Sequence, residues 1–170
     1  MIQLVPAHTP ARLLDVRALF LEYASSLGFD LRFQDFDREV ASLPGAYAPP
    51  GGALLLALVD GRAAGCVALR PLDDQACEMK RLFVRPAERS HGLGRLLCTM
   101  VIAEAQSRGY ARMKLDTLPQ MTEAIALYRE LGFAPAEPYR YNPLPGAMFM
   151  ELVLESRRSE AGSPAGEGGR

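Results

Sequence analysis

The clearest chemical signal in this sequence is a short segment rich in glycine and arginine, followed at once by a strongly helical pattern. The segment consists of Arg89, Ser90, His91, Gly92, Leu93, Gly94 and Arg95. The first N–H groups of a helix have no intrahelical acceptor and lie at the positive end of the helix dipole, so they bind phosphate oxygens readily. Glycine at two positions allows a left-handed backbone and the close approach of a ligand. These residues therefore predict a phosphate-binding turn.

The charge distribution favours a small anionic ligand at this turn. Residues 78–114 contain eight basic and three acidic side chains, whereas the whole chain contains 19 basic and 20 acidic ones and has a net charge of -1. A protein with that overall charge has no field to hold a polyanion, so nucleic acid is not an expected partner. The local excess of basic residues instead indicates a compact phosphate-bearing molecule.

Two common phosphate motifs do not match the residues of the turn. A dinucleotide-binding G-x-G-x-x-G would need glycine at the position of Leu97, and a Walker A loop would need G-K-S or G-K-T, which the sequence lacks. A structural zinc site is not expected either, because the chain has only two histidines, and its three cysteines match no common zinc spacing. No metal is therefore predicted.

Hydrophobic periodicity indicates which elements position the turn. Apolar residues at helical spacing predict helices over residues 10–27, 35–43, 93–108 and 122–131. Short apolar runs bounded by turn residues predict strands over residues 54–59, 63–69, 77–84, 110–118 and 148–154. The turn thus lies between a strand and the strongest helix, after three consecutive strands that predict an antiparallel meander.

Length and composition predict one domain over residues 1–155. The chain has 170 residues, of which 49% are hydrophobic, and a domain commonly takes about 100 to 200 residues. Residues 156–170 contain no large apolar side chain, so we expect a disordered tail. The N-terminus lacks a signal-peptide pattern, and no apolar run approaches about 18 residues, so we expect a cytoplasmic protein without a membrane segment.

The R-x-x-G-x-G turn and its surroundings resemble the GNAT superfamily of N-acetyltransferases. The resemblance covers residues 1–155, and it is carried by the strand at 78–84, the turn, the helix to Gly109 and the sequence LYRELGF at 127–133. It implies an α/β (α+β) fold in which a mixed, mostly antiparallel sheet of six to seven strands is flanked by four helices. It also implies an enzyme that uses acetyl-CoA, without a metal, to acetylate a primary amine of a small molecule or peptide by direct attack.

The resemblance also implies where acetyl-CoA binds. Its diphosphate would contact the backbone amides of residues 89–95, and its pantetheine arm would pair with the strand at Leu82, Phe83 and Val84, where the central strands diverge. A backbone N–H of that strand would stabilise the acetyl oxygen. Many relatives carry asparagine seven residues before the family tyrosine, where this chain has Met121. That contact is therefore lost or supplied elsewhere.

Two side chains are candidates for proton transfer. An alkylamine has a pKa of about 10 and must lose a proton to react. By resemblance, Glu78 is the general base, acting directly or through water, although it could instead form a salt bridge with Lys80 or Arg81. Tyr128 matches the tyrosine that donates a proton to the leaving thiolate, although it could equally be a packed core aromatic.

The family pattern places the acceptor between the first two helices and the last β-loop. The candidate residues are Glu22, Tyr23, Arg32, Tyr139, Tyr141 and Asn142. Residues 21–40 carry five acids and two bases, which would attract a cationic amine or merely solvate the surface. Arg32 and Arg140 instead suit an acceptor with a carboxylate, such as an amino acid. Both interpretations stay open at the level of sequence.

Two other functions are compatible with the same residues. One is a binding module that senses acyl-CoA without turnover, and the other is an acyltransferase with a different acyl donor or acceptor. The presence of both Glu78 and Tyr128 favours the enzyme. The sequence does not determine the oligomeric state, and a homodimer is a possible assembly because dimers are common among small enzymes.

Overall fold

The computed structural model describes residues 1–28, 30–31 and 35–155, and in it seven strands form one sheet. The strands are β1 Ile2–Pro6, β2 Ala53–Val59, β3 Arg62–Pro71, β4 Ala76–Val84, β5 Arg112–Thr117, β6 Ala134–Pro135 and β7 Met148–Val153. Their order is β1-β2-β3-β4-β5-β7-β6, and β4 with β5 is the parallel pair among otherwise antiparallel neighbours. The predicted mixed, mostly antiparallel sheet is confirmed.

Four α-helices flank the sheet, as predicted. They are α1 Pro10–Leu27, α2 Phe36–Ala41, α3 Leu93–Ser107 and α4 Thr122–Glu130. Short 3-10 helices occupy Gly45–Tyr47 and Pro86–His91. Proline fits the first turn of α1 because its missing N–H would be unpaired there, and Gly28 ends that helix with a left-handed φ of 71°. None of these helices is long and apolar enough to cross a bilayer.

Two strands lie outside the sequence prediction, and both occupy edges of the sheet. β1 pairs only with β2 and is largely exposed, so it lacks the apolar run that marks the buried strands. β6 has two residues, which pair with Glu151 and Met150 of β7. Such short edge pairings depend on the neighbouring strand more than on local sequence.

The sheet separates two apolar cores. On one face, α3 and α4 pack against the sheet through residues such as Leu97, Val101 and Tyr128. On the other face, α1 and α2 contribute Phe20 and Phe36. The three cysteine thiols are buried and unpaired. The central strands are therefore covered on both sides, which explains their nearly continuous apolar sequences.

A β-bulge in β4 decides which side chains reach the second face. Val67 of β3 lies opposite two residues of β4, Arg81 and Leu82, and Arg81 has a left-handed φ of 59°. Simple alternation would place Arg81 on the face of Met79. The bulge instead turns Arg81 toward α2, where it pairs with Glu39. Two consecutive charged residues, at positions 80 and 81, therefore face the α1 and α2 side.

Candidate active site

A cavity of about 560 Å³ opens where β4 and β5 diverge. The two strands pair over only three residue pairs, the last of which is Glu78 with Lys114. Beyond that pair, β4 has no strand neighbour on its β5 side, so backbone hydrogen-bonding groups there face the gap. The cavity is lined by residues 79–84 of β4, by residues 115–118 and 120–124, and by Tyr23, Ser26, Leu27, Leu31, Arg89, Gly94, Leu127, Tyr128, Asn142 and Leu144. An extended chain with amide groups fits this open strand edge.

The glycine–arginine turn lies at one end of this cavity. Gly92 adopts a left-handed φ of 70° and caps the N-terminus of α3, where no side chain caps the helix. The first amides of α3 are therefore available to an anionic ligand. Arg89 fixes the turn to β4, because its Nε donates to the carbonyl of Val84 at 2.9 Å and its guanidinium lies 6.0 Å from the Phe83 ring.

Two other arginine side chains around the turn already have carboxylate partners. Arg85 pairs with Glu22 at 2.8 Å, and Arg95 pairs with Glu130. His91 lies 3.0 Å from Glu88. The basic excess counted from the sequence therefore overstates the free charge at the turn, where the backbone amides are the main donors. Glu22, a predicted acceptor residue, holds Arg85 and lies outside the cavity wall.

Glu78 is fully buried and held by three donors. Its Oε1 accepts from Arg70 Nε at 2.6 Å, and its Oε2 accepts from the Tyr139 hydroxyl at 2.5 Å and from Arg140 Nη1 at 3.0 Å. Burial alone would raise the pKa of Glu78, but the charges of Lys80 and Arg70 and the Tyr139 hydrogen bond lower it.

Glu78 does not line the cavity, so this geometry does not support direct contact with an acceptor. Its salt bridges are formed with Arg70 and Arg140 rather than with the neighbours expected from the sequence. The role of Glu78 as a base remains a prediction, and it now requires water between the carboxylate and the amine.

Tyr128 lines the cavity and is also packed. Its ring lies 5.7 Å from that of Phe133, and the residue is 7% exposed. Within the described part of the chain its hydroxyl makes no hydrogen bond. Burial raises the pKa of Tyr128 well above its ordinary value of 10.0, so the hydroxyl stays protonated at neutral pH. The side chain can therefore donate a hydrogen bond into the cavity.

Of the predicted acceptor residues that the structure describes, two reach the cavity wall. Tyr23 and Asn142 line it. Tyr139 lies outside the wall, against Glu78 and Phe149, and Tyr141 is 76% exposed to solvent. Arg32 and the tail at 156–170 lie outside the described residues.

The cavity wall also contains charged side chains that were not predicted as site residues from the sequence, among them Lys80 and Asp116. Lys80 is 7% exposed and has neither a hydrogen bond nor an ion pair with any residue that the structure describes. Burial, and then the charge of Arg81, lower the pKa of Lys80 to about 7. Asp116 of β5 is half-buried, and Asn142 Nδ2 donates to its Oδ2 at 3.0 Å. The one sequence signal for Lys80 was its place two residues after Glu78, on the same face of β4.

Over residues 1–28, 30–31 and 35–155, no group of three or more histidine, cysteine, aspartate or glutamate side chains is arranged to hold a metal ion. The polar groups of the cavity wall are instead isolated side chains and strand backbone. The charged residues that line this cavity are Lys80, Arg81 and Arg89, which are basic, and Asp116 and Glu123, which are acidic.

The chain is similar in sequence and in fold to known acetyltransferases. Residues 13–133 match the acetyltransferase (GNAT) family. An uncharacterised N-acetyltransferase of Schizosaccharomyces pombe is 42% identical over 147 residues, which are 85% of this chain and 90% of that protein.

Solved structures share the fold at lower identity. An acetyltransferase from Salmonella typhimurium, solved with acetyl-CoA, has a TM-score of 0.74 and 21% identity over 94% of this chain and 97% of that one. An N-acetyltransferase from Thermoplasma acidophilum, solved with coenzyme A, has a TM-score of 0.69 and 13% identity over 90% of this chain and 99% of that one. At these identities the similarity establishes the fold.

Replacing Lys80 by methionine should stabilise the protein. The pKa of Lys80 is about 7 in the folded state and 10.5 ordinarily, so the unfolded chain binds more protons between these values and wild-type stability rises with pH. Lys80→Met should raise the free energy of unfolding by about 2 kcal/mol at pH 7, and this difference should shrink toward pH 10. Urea denaturation across this range measures it.

The matched control is Lys114→Met, which removes the other lysine of the chain. Lys114 is half-buried and lies 5.7 Å from the Tyr139 ring, so its loss should destabilise slightly. Equal or lower stability of Lys80→Met at pH 7 would contradict the account of Lys80 as an unpaired buried amine.

Proposed function

Because the chain belongs to the acetyltransferase (GNAT) family, we propose that it transfers an acetyl group from acetyl-CoA to the nitrogen of a primary amine. The observation that carries this proposal is the cavity between the diverging strands β4 and β5. Its lining includes Arg89 and Gly94 of the turn, the unpaired edge of β4 and Tyr128.

The residues of this chain fit acetyl-CoA along that wall. The amides at the start of α3 suit the diphosphate, and the edge of β4 at Leu82, Phe83 and Val84 suits the two amide groups of the pantetheine arm. The Leu93 side chain is buried in the core, so this residue offers only its backbone. Ser90 and Arg95 are exposed beside the turn and can reach phosphate from solvent.

The β4 bulge suits stabilisation of the acetyl oxygen. At Arg81 the backbone leaves the regular strand conformation, next to the point where β4 loses its β5 partner. A backbone N–H directed into the cavity here would donate to the oxygen as negative charge develops on it. Backbone donors fixed by a bulge need little reorganisation, which is why such stabilisation is effective.

Proton transfer is proposed for two side chains. Glu78 takes the proton of the amine through water, since its carboxylate does not reach the cavity wall. Tyr128 donates to the sulfur that leaves, because its raised pKa keeps its hydroxyl protonated at neutral pH. The carbon–nitrogen bond forms as the carbon–sulfur bond breaks, and CoA departs as the thiol.

The function is tested by CoA thiol release with amino acids, polyamines, aminoglycosides and peptides as acceptors. Release that depends on both acetyl-CoA and an amine supports the proposal. Native mass spectrometry of the purified protein reports bound CoA independently of turnover. Tight CoA binding without turnover of any acceptor would favour a sensor instead.

Gly92→Val should weaken CoA binding about tenfold or more, because valine strains the left-handed backbone that presents the amides. The matched control is Gly109→Val at the other end of α3. Gly109 also has a left-handed φ, of 82°, and an added Cβ meets nothing within 4 Å at either glycine. Isothermal titration with CoA compares the two variants, and equal affinities would remove the turn from the CoA site.

Glu78→Gln should lower kcat/KM by about 10²-fold with little change in CoA affinity, because the amide accepts no proton. Arg70→Met is the control, since it breaks the same buried network while the carboxylate remains. Steady-state rates from pH 6 to 9 separate the two roles. If Glu78→Gln has the wild-type rate at every pH, Glu78 is not the base. If Glu78→Gln and Arg70→Met lose the same fraction of kcat/KM, Glu78 has a positioning role.

Tyr128→Phe should lower kcat about 10- to 100-fold, since phenylalanine retains the packing on Phe133 but cannot donate to sulfur. Tyr110→Phe is the control, because its hydroxyl donates to the Gly51 carbonyl at 2.7 Å, away from the cavity. Single-turnover rates measure the chemical step. An unchanged rate for Tyr128→Phe would leave this side chain a packing role alone.

A further inference from the structure

The acidic residues of α1 and α2 do not form a wall for a cationic acceptor. Glu39 pairs with Arg81 at 2.8 Å, and Glu22 pairs with Arg85. Asp35 pairs with Arg38 at 3.4 Å on the surface. None of these carboxylates lines the main cavity. Three of the five carboxylates counted between residues 21 and 40 are therefore committed to other contacts.

The charge that does face the cavity from β4 is positive. Lys80 is more than nine-tenths buried, lines the wall and has no hydrogen-bond or ion-pair partner in the described part of the chain. An unpaired ammonium in such a place costs stability, and proteins keep one where a ligand supplies the counter-charge or where chemistry needs it. Its presence here points to an anion from outside the chain.

The charges around Lys80 also favour an added anion beside it. The charged groups that act on Lys80 are Arg81, Glu78, Arg140 and Glu39. Glu39 is engaged by Arg81, and Glu78 is shared between Arg70 and Arg140. Three cations, Arg70, Arg140 and Lys80, thus surround one carboxylate. This cluster is net positive, and Lys80 is its member that lines the cavity wall, so a polyamine is disfavoured beside Lys80.

Among the described residues of β5, Asp116 contributes a carboxylate to the same cavity. Asp116 lines the wall, is oriented by the amide of Asn142 and forms no ion pair within 4.0 Å. Among the described residues, the wall therefore presents a cation without an ion pair on β4 and a carboxylate without an ion pair on β5, and α4 adds Glu123. A ligand that carries both charges would complement both side chains.

We propose that the acceptor is a zwitterionic amine, such as an amino acid, whose carboxylate binds Lys80 and whose amino group is held near Asp116. The proposal rests on the acetyl transfer proposed above and narrows its acceptor class. Such a ligand supplies the missing anion to the β4 wall and leaves the amine beside the edge of β4. The N-terminal amine of a protein lacks that carboxylate and is disfavoured.

Kinetics with matched acceptors test the carboxylate requirement. The twenty amino acids are assayed first, and each substrate is then compared with its α-amide, which keeps the amine and side chain but loses the negative charge. We expect kcat/KM at least about tenfold higher for the acid than for the amide. Lys80→Met should abolish this preference, and Lys80→Arg should retain part of it, because arginine also binds a carboxylate.

A second measurement does not depend on turnover. The chain has two lysines, Lys80 and Lys114, so protein labelled with ¹³C-lysine gives two side-chain signals, and Lys114→Arg assigns them. A carboxylate bound to Lys80 favours its charged form, so the pKa of that signal should rise when acetate or a substrate amino acid is added. The α-amide should leave it unchanged.

The outcomes separate the two proposals. If amides and polyamines are acetylated as well as amino acids, acetyl transfer stands and the zwitterionic acceptor is wrong. If no amine is acetylated and CoA does not bind, the proposed function is wrong, and the lysine titration still decides whether Lys80 binds a carboxylate. A Lys80 signal that ignores both acetate and amino acids overturns the inference. Circular dichroism confirms that each variant is folded.

Discussion

The separation of β4 from β5 is the constraint on which the rest of the structure depends. Parallel pairing stops after Glu78 and Lys114, and the strand edge beyond is left without a neighbour. In a soluble domain an open strand edge inside the sheet is unfavourable unless something fills it. Here the opening leads to the turn at the start of α3 on one side and to α1 on the other. A ligand that pairs with β4 as a neighbouring strand would form hydrogen bonds with the backbone N–H and C=O groups that the opening leaves without partners.

The bulge in β4 links this backbone feature to the charges of the site. By directing Arg81 to the same face as Lys80, it gathers basic side chains on the side of α1 and α2. Arg81 is neutralised by Glu39, whereas Lys80 is not neutralised by any described residue. The buried network around Glu78 has the opposite character, because each of its carboxylate oxygens is occupied. The Glu78 carboxylate is therefore held in one orientation, whereas the Lys80 ammonium is available to a ligand.

This division also explains how stability and function are balanced. A buried lysine whose pKa falls to about 7 lowers the stability of the folded state, and a methionine in its place would fit the apolar surroundings better. Functional sites commonly retain such unfavourable groups, since a preformed site must expose what the ligand will satisfy. Tyr128 has the same character to a smaller degree, because its ring is packed and its hydroxyl has no hydrogen-bond partner among the described residues.

Local sequence determined most of the helices and strands and the position of the glycine turn before α3. Periodicity and the rules for proline, glycine and helix starts act over a few residues, so α1, α3 and the turn at Gly92 needed nothing more. The edge strands β1 and β6 were missed, since their pairing depends on partners distant in the chain. Tertiary structure alone decided that Glu78 is enclosed, that Glu22 and Tyr139 lie off the cavity wall, and that Lys80 and Asp116 line it. Burial and counter-charge are set by chains that meet across the fold, so residue type and spacing cannot specify them.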